Sequence, residues 1–244
     1  VIAEIERQGK LDNTLIFYIW GDNGSSAEGL NGTISEQLAQ NAIPTTIPQH
    51  LEALKELGGL DALGGPKTDN MYHAAWAWAG STPYRSTKLA AAHFGGTRQP
   101  MAVSWPKSIK PDATPRPQFH HVIDIVPTIY EVTKIAPPRA VNGFEQDSFD
   151  GVSLVYTFGD AKAKGTRKTQ FFDIMASRGI YHDGWFASAM GLREPWVGGL
   201  PKGVKEWSPL TDKWELYNID EDWSQANDLA AANRAAGFVA DFAI

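Results

Sequence analysis

The 244-residue chain has no cysteine. That excludes disulfides and thiolate metal sites, and it leaves the redox compartment unreadable. No apolar run reaches the roughly 20 residues that a membrane-spanning helix needs. Positive charge is not in excess: 22 Lys and Arg stand against 28 Asp and Glu, a net charge of −6, and no basic patch is visible. Nucleic-acid binding therefore has no electrostatic support, and neither nucleic acid nor membrane is an expected partner. Internal repeats are missing as well. With 43% hydrophobic and 20% charged residues, the chain has the composition of a folded protein with a sizeable core. Nine tryptophans are many for this length. Several lie in polar, Gly-rich surroundings, which suits an aromatic-lined cleft, although core packing explains most tryptophans equally well.

The most informative stretch is Thr14-Leu15-Ile16-Phe17-Tyr18-Ile19-Trp20 followed by Gly21-Asp22-Asn23-Gly24. A continuous apolar run of this length predicts a strand buried on both faces in the middle of a parallel α/β sheet. Ligands of open α/β sheets sit outside the carboxyl ends of strands, where Asp22 and Asn23 fall. Two hard oxygen donors on a Gly-bounded turn suit a divalent cation, Ca²⁺ or Mg²⁺. The competing reading is an ordinary turn, since Asn-Gly is a frequent turn dipeptide.

Val1–Lys10 reads as the last turns of an amphipathic helix ending at Gly9. A chain that opens mid-helix and runs straight into a central strand reads as a piece of a longer one, with neighbouring strands expected upstream and an exposed apolar edge prone to self-association. Residues 21–50 and 58–85 read as long loops, apart from a helix over Ile47–Leu57 that stops at Gly58-Gly59. Met101–Trp105 predicts a short strand. His120–Thr133 predicts a helix with Pro127 as a kink. Beyond Pro137-Pro138, strands are expected at 169–175, 179–189 and 214–218, with Asp183-Gly184 as a hairpin turn or a bulge, and an Ala-rich helix over 227–243. Strands followed by a helix suggest a small antiparallel sheet packed by one helix. The expected division is an α/β domain over 1–160 and an α+β subdomain over 161–244.

Four segments in order carry a family resemblance. They are the strand with Asp22-Asn23-Gly24; Thr82-Pro83-Tyr84-Arg85-Ser86-Thr87-Lys88 leading through His93-Phe94-Gly95-Gly96-Thr97-Arg98; Met101–Pro106 with His121–Thr128; and Glu215–Asp222. The set resembles the sulfatases of the alkaline-phosphatase-like superfamily, in particular arylsulfatases with His-Phe-Gly-Gly-Thr-Arg. The implied fold is part of a mixed or parallel sheet sandwiched by helices, followed by a small antiparallel sheet with a C-terminal helix. The resemblance implies that Asp22 and Asn23 are two ligands of a catalytic Ca²⁺ and that Lys88 contacts the sulfate oxygens. An ammonium there would stabilise negative charge developing on a sulfuryl group. Lys88 sits one residue further from the glycines than in many relatives.

His93 matches no family ligand; it would line the substrate cleft or serve structure. Tyr72, His73, Trp76 and Trp78 would form a lid over an aryl substrate or fill space under the long loop. His120-His121 looks like a metal pair, but adjacent helical residues diverge by about 100°, which makes both structural. The family's formylglycine nucleophile, made from a Cys or Ser in a Cys/Ser-x-Pro/Ala-x-Arg motif, is absent here, as are the Asp-Asp metal pair and further sulfate-binding residues. The resemblance thus implies a C-terminal part of a sulfate-ester hydrolase, inactive alone, whose parent acts on a sulfate-ester small molecule or sulfated glycan and is exported to the periplasm or secreted. Two alternatives stand beside it. One is a phosphate or phosphonate monoester hydrolase, disfavoured because Asn23 replaces the histidine that would hold a second zinc. The other is a non-catalytic ligand-binding module.

Overall fold

The computed structural model describes residues 1–21, 23–198 and 201–233. In chain order the elements are α1 (Ile2–Arg7), β1 (Ile16–Ile19), α2 (Glu36–Gln40), α3 (Ile47–Leu57), α4 (Ala74–Ser81), α5 (Phe94–Thr97) and β2 (Met101–Ser104). They continue with α6 (Ile125–Thr133), β3 (Ala140–Val141), β4 (Phe144–Glu145), β5 (Thr169–Ile174), β6 (Ser177–His182), β7 (Trp185–Ala189), β8 (Glu215–Asn218) and α7 (Ala230–Asn233). The expected helix over 227–243 is described only through Asn233; its remainder lies outside the described residues. Among the described residues no helix is long and apolar enough to cross a membrane.

Local chemistry explains several boundaries. α3 starts at a capping box, in which Thr46 and Gln49 satisfy each other's backbone N–H groups, and it ends at Gly58 with φ +121°. α6 begins only after Asp124, so Pro127 falls in its first turn, where a missing N–H costs nothing. The kink expected at Pro127 is therefore absent. Asp183 and Gly184 both take positive φ and join β6 to β7 as a two-residue hairpin turn, resolving the choice between hairpin and bulge. The turn before β6 is Met175-Ala176, again with both φ positive. Within residues 58–85, read as loop, the structure places α4; its Ala-Trp alternation has no one-sided apolar stripe and gives no periodic signal.

The chain divides into two compact units, each made of two separate stretches. The first comprises Val1–Ile19 and Met101–Gln170. In it β1 pairs antiparallel with β2, from Ile16 opposite Ser104 to Ile19 opposite Met101. The strand predicted to be buried on both faces is instead open: Tyr18 is 51% and Ile19 41% exposed. The apolar run marks a strand correctly, but it cannot say how many neighbours this chain supplies, and among the described residues β1 has one. The polar centre of this unit is Asp124, fully buried. Its carboxylate accepts from the backbone N–H groups of His121 (2.9 Å) and Val152 (2.8 Å), from His120 Nδ1 (3.0 Å) and from the Arg167 guanidinium. These bonds outweigh burial, which alone would raise the pKa, and hold Asp124 well below the usual carboxylate range. His120 also bonds Tyr156 Oη at 3.0 Å, so this histidine serves structure, although it lies in the chain before α6 and not in the helix expected from His120.

The second unit comprises Trp20–Pro100 and Phe171–Ile244. The sheet runs β5-β6-β7-β8, with β6–β7 and β7–β8 antiparallel; the first two residues of β5 belong to the first unit. Phe186 and Ala187 on β7, and Leu216 and Tyr217 on β8, are fully buried. The segment 85–98 is fastened to this sheet. Phe94 packs on Phe186 with centroids 4.9 Å apart and the rings tilted by 55°. The Phe94 N–H donates to Gln225 Oε1 at 2.7 Å, and Gln225 Nε2 donates to the Ala92 carbonyl at 3.1 Å.

Candidate active site

Every candidate residue of the sequence reading that is described falls in the second unit. Asp22 lies outside the described residues; Asn23, next to it, is exposed. Gly24 has φ +86°, and a Cβ there would collide with the Gly95 carbonyl oxygen. The Lys88 N–H donates to the Ser25 carbonyl at 3.0 Å. These two contacts hold residues 23–25 against the segment 85–96. The Gly95-Gly96 pair has a matching steric cause. A Cβ at Gly95 would strike the Arg85 and Ser86 carbonyls, and one at Gly96 would strike those of Thr87 and Ala90. The chain thus folds tightly back on itself around Lys88, with Ser86 (φ +67°) and Leu89 (φ +73°) left-handed.

The Lys88 side chain is 31% exposed, and its ammonium lies 2.7 Å from Glu28 Oε2. Glu28 also accepts from Ser26 Oγ at 3.1 Å and from Gln40 Nε2 at 3.2 Å. Burial pushes the Glu28 pKa up, but these three donors outweigh it and leave the group below its ordinary value. Glu28 carried no signal in the sequence, because no spacing links it to a residue 60 positions away.

His93 is 7% exposed and its Nε2 donates to Glu215 Oε2 at 3.1 Å. The same carboxylate oxygen accepts from Tyr217 Oη at 2.8 Å and lies 3.4 Å from Arg85 Nη1, which also reaches Tyr217 Oη at 2.5 Å. The His93 hydrogen bond leads in lowering the Glu215 pKa to about 2, working against burial and aided by Tyr217 and the Arg85 charge. Burial and the adjacent Glu215 push the Tyr217 phenol up. His93, Arg85, Glu215 and Tyr217 therefore form one network that ties residues 85–93 to β8. The sequence reading passed over Arg85 and Glu215, although both lie inside the segments that carry the resemblance.

The aromatic cluster separates into parts. His73 caps α4, its Nδ1 accepting from the Ala75 N–H at 3.0 Å. Tyr72 is 50% and Trp76 71% exposed. Trp78 packs on Trp196 with centroids 5.2 Å apart, beside the buried cluster Ala27, Ala74 and Ala77. The Ala74 N–H donates to the Leu30 carbonyl at 2.8 Å, so α4 and Lys88 both dock on the segment 25–30, one at each end.

The donor chemistry of Asp22 and Asn23 suits a hard cation, but two donors fall short of the six to eight oxygens that Ca²⁺ normally takes. Among the described residues no group of three or more His, Asp or Glu converges as a metal cluster. These residues do not compose a complete calcium site by themselves.

The sulfatase family model matches residues 1–135. An uncharacterized sulfatase of Schizosaccharomyces pombe is 25% identical over 234 residues, covering 94% of this chain and 37% of the relative. Among solved structures, the Bacteroides thetaiotaomicron protein BT33336S-sulf, described with the metabolism of multiple glycosaminoglycans, superposes with a TM-score of 0.56 at 17% identity. That match covers 96% of this chain and 38% of the neighbour. Ps i-CgsB in complex with k-i-k-neocarrahexaose gives 0.53 at 17% identity over 96% and 36%. The chain spans little more than a third of the length of the relatives it matches, and at these identities the structural likeness establishes the alkaline-phosphatase-like fold.

Proposed function

The chain belongs to the sulfatase family, and from that membership we propose that it supplies part of the active site of a sulfate-ester hydrolase. In this reading Asp22 and Asn23 give two oxygen donors to a Ca²⁺ ion, with Mg²⁺ as the alternative, and Lys88 binds the sulfate oxygens. The observation that carries it is the bond from the Lys88 N–H to the Ser25 carbonyl, together with the packing of Gly24 on Gly95. These contacts hold residues 24 and 25, which follow Asn23 directly, against the segment that carries Lys88, which supports the reading.

The ion would polarise the sulfuryl group, and a formylglycine hydrate from outside this chain would attack sulfur. This chain's own contribution is electrostatic. The Lys88 ammonium neutralises charge gathering on the nonbridging oxygens as the ester bond breaks. Glu28 keeps the ammonium oriented until an anion arrives. Substrate is a sulfate-ester small molecule or a sulfated glycan; the oligosaccharide held by the neighbour Ps i-CgsB supports the glycan arm. Without the nucleophile the 244-residue chain is inactive. The exposed face of β1, with Tyr18 and Ile19, favours self-association of the isolated chain, which size-exclusion chromatography reads directly.

Turnover of 4-nitrophenyl sulfate and 4-nitrophenyl phosphate by the native polypeptide containing this chain tests the proposal. Preferred sulfate turnover, lost with chelator and lowered on the order of 100-fold or more by Lys88→Ala, is the expected result. Preferred phosphate turnover, or a Lys88→Ala enzyme as active as the parent, overturns it.

A further inference from the structure

A cavity of about 410 Å³ opens beside the Lys88–Glu28 pair, and its chemistry is not explained by the sulfate-contacting lysine. Glu28, Gln40, Asn41, Arg193, Pro195 and Val197 are among its walls. All belong to the second unit. The Arg193 Nε is buried and has no hydrogen-bond partner. The Nε itself is closed to the open cavity, but among the described residues no hydrogen bond or ion pair engages the rest of the guanidinium either, and an arginine that lines a cavity without an acceptor suits an anion. The carboxylate in the same cavity does not supply that acceptor. Glu28 is already committed, one oxygen to Lys88 and Ser26 and the other to Gln40. No carboxylate among the described residues forms an ion pair with Arg193, so with Glu28 committed to Lys88 the Arg193 charge in the wall is unmatched.

We propose that this cavity is a binding site for an oxyanion, a sulfate or carboxylate group, held by Arg193 and flanked by the amides of Gln40 and Asn41. A planar guanidinium offers several donors in a fixed fork that matches either group. Glu28 lies in the cavity wall and also holds Lys88, so an anion on Arg193 and a sulfate on Lys88 would be neighbours on one molecule. The ligand class is therefore a saccharide with two anionic groups, one presented to Lys88 and the second to Arg193. Its identification as a substrate, though not as a ligand, rests on the sulfatase reading. The seat of Arg193 is well supported: Pro195 is buried, and Trp196 packs on Trp78 and on the Ala27, Ala74, Ala77 cluster.

The test uses three probes: a disaccharide with two sulfates, a disaccharide with one sulfate and one uronate carboxylate, and 4-nitrophenyl sulfate with a single anion. Calorimetry on the 244-residue chain reads binding, and kcat/KM of the native polypeptide reads use. Arg193→Gln should weaken binding of the favoured disaccharide about tenfold and lower its kcat/KM relative to 4-nitrophenyl sulfate by the same factor, chiefly through KM. Asn41→Asp, which adds a negative charge to the wall without touching Arg193, should act in the same direction and guards against a misfolded Arg193 variant. Which disaccharide responds distinguishes sulfate from carboxylate. Equal effects on all three probes, or none on either disaccharide, overturn the proposal. Arg193-dependent binding without turnover of any probe by the native polypeptide upholds the oxyanion site and sinks the sulfatase reading instead.

Discussion

The Lys88 ammonium and the Glu28 carboxylate lie 2.7 Å apart, so the candidate sulfate-binding cation is already partnered within this chain. An incoming anion must share Lys88 with Glu28. Replacing Glu28 with Gln removes the competitor and keeps an oxygen for Lys88. Inorganic sulfate should then bind the chain several-fold more tightly by calorimetry, whereas adding Lys88→Gln should remove that gain. Unchanged affinity in Glu28→Gln would detach Lys88 from any anion-binding role.

Glu215 joins His93, Tyr217 and Arg85, and Glu215→Gln should destabilise the chain by about 2–3 kcal/mol at neutral pH, because the buried partners lose a charged acceptor. The pH dependence follows from a folded pKa of about 2, below the ordinary 4.5. The contribution is fully present above pH 4.5 and is lost as pH falls toward 2. The gap in melting temperature between parent and variant should therefore close over that window in a thermal scan series.

Asp124 has four donors and no solvent exposure. Asp124→Ala strands the Arg167 guanidinium in a buried place, and a cost of about 3–5 kcal/mol is expected. Hydrogen exchange supplies the local readout: the His121 and Val152 amides, both bonded to this carboxylate, should lose protection first. If their exchange is unchanged, the network does not organise this unit.

Gly24→Ala and Gly9→Ala separate backbone conformation from steric contact. Both positions have positive φ, +86° and +67°, but nothing lies within 4 Å of a Cβ at Gly9. Gly9→Ala should cost about 1 kcal/mol through φ alone. Gly24→Ala should cost more than about 2 kcal/mol, because the Gly95 backbone must move. Denaturant midpoints for the pair give the comparison; equal shifts would mean that residues 23–25 do not rest on Gly95.

Trp76 and Trp78 sit two positions apart in α4 with different surroundings. Trp76→Ser should change stability by less than about 0.5 kcal/mol, whereas Trp78→Ser should cost about 1 kcal/mol, since Trp78 is 38% exposed but packed on Trp196. If Trp76 covers an aryl substrate, its replacement raises KM for 4-nitrophenyl sulfate in the native polypeptide; an unmoved KM makes it plain surface.

Much of this could be read from the residues, and the shortfalls have physical causes. The helix at Ile47–Leu57 and the strands at 101–104 and 215–218 were legible because helical spacing, glycine and proline stops and short apolar or aromatic segments act locally. The family was legible because four short segments keep their order. The openness of β1 was not, since burial depends on neighbours and not on the run itself. α4 was missed because Ala and Trp all round leave no face to detect. At the site, Lys88 and Asn23 stood out by motif. Glu28, Arg193 and Glu215 did not, because their roles come from partners brought together only by folding: Arg85 and Glu215 are 130 positions apart.

The two-stretch construction of each unit has a consequence for biosynthesis. Phe94 is anchored by Gln225, 131 residues later, and among the described residues β1 pairs with β2, more than 80 positions downstream. While the chain emerges from the ribosome, the Lys88 loop and the glycines that shape it stay without this support until residues 215–225 have been translated. Folding of this kind, dominated by distant pairings, is slow and leaves apolar surface uncovered in the interim. Chaperone dependence during synthesis, with the candidate active site among the last regions to acquire protease resistance, follows from that order of assembly.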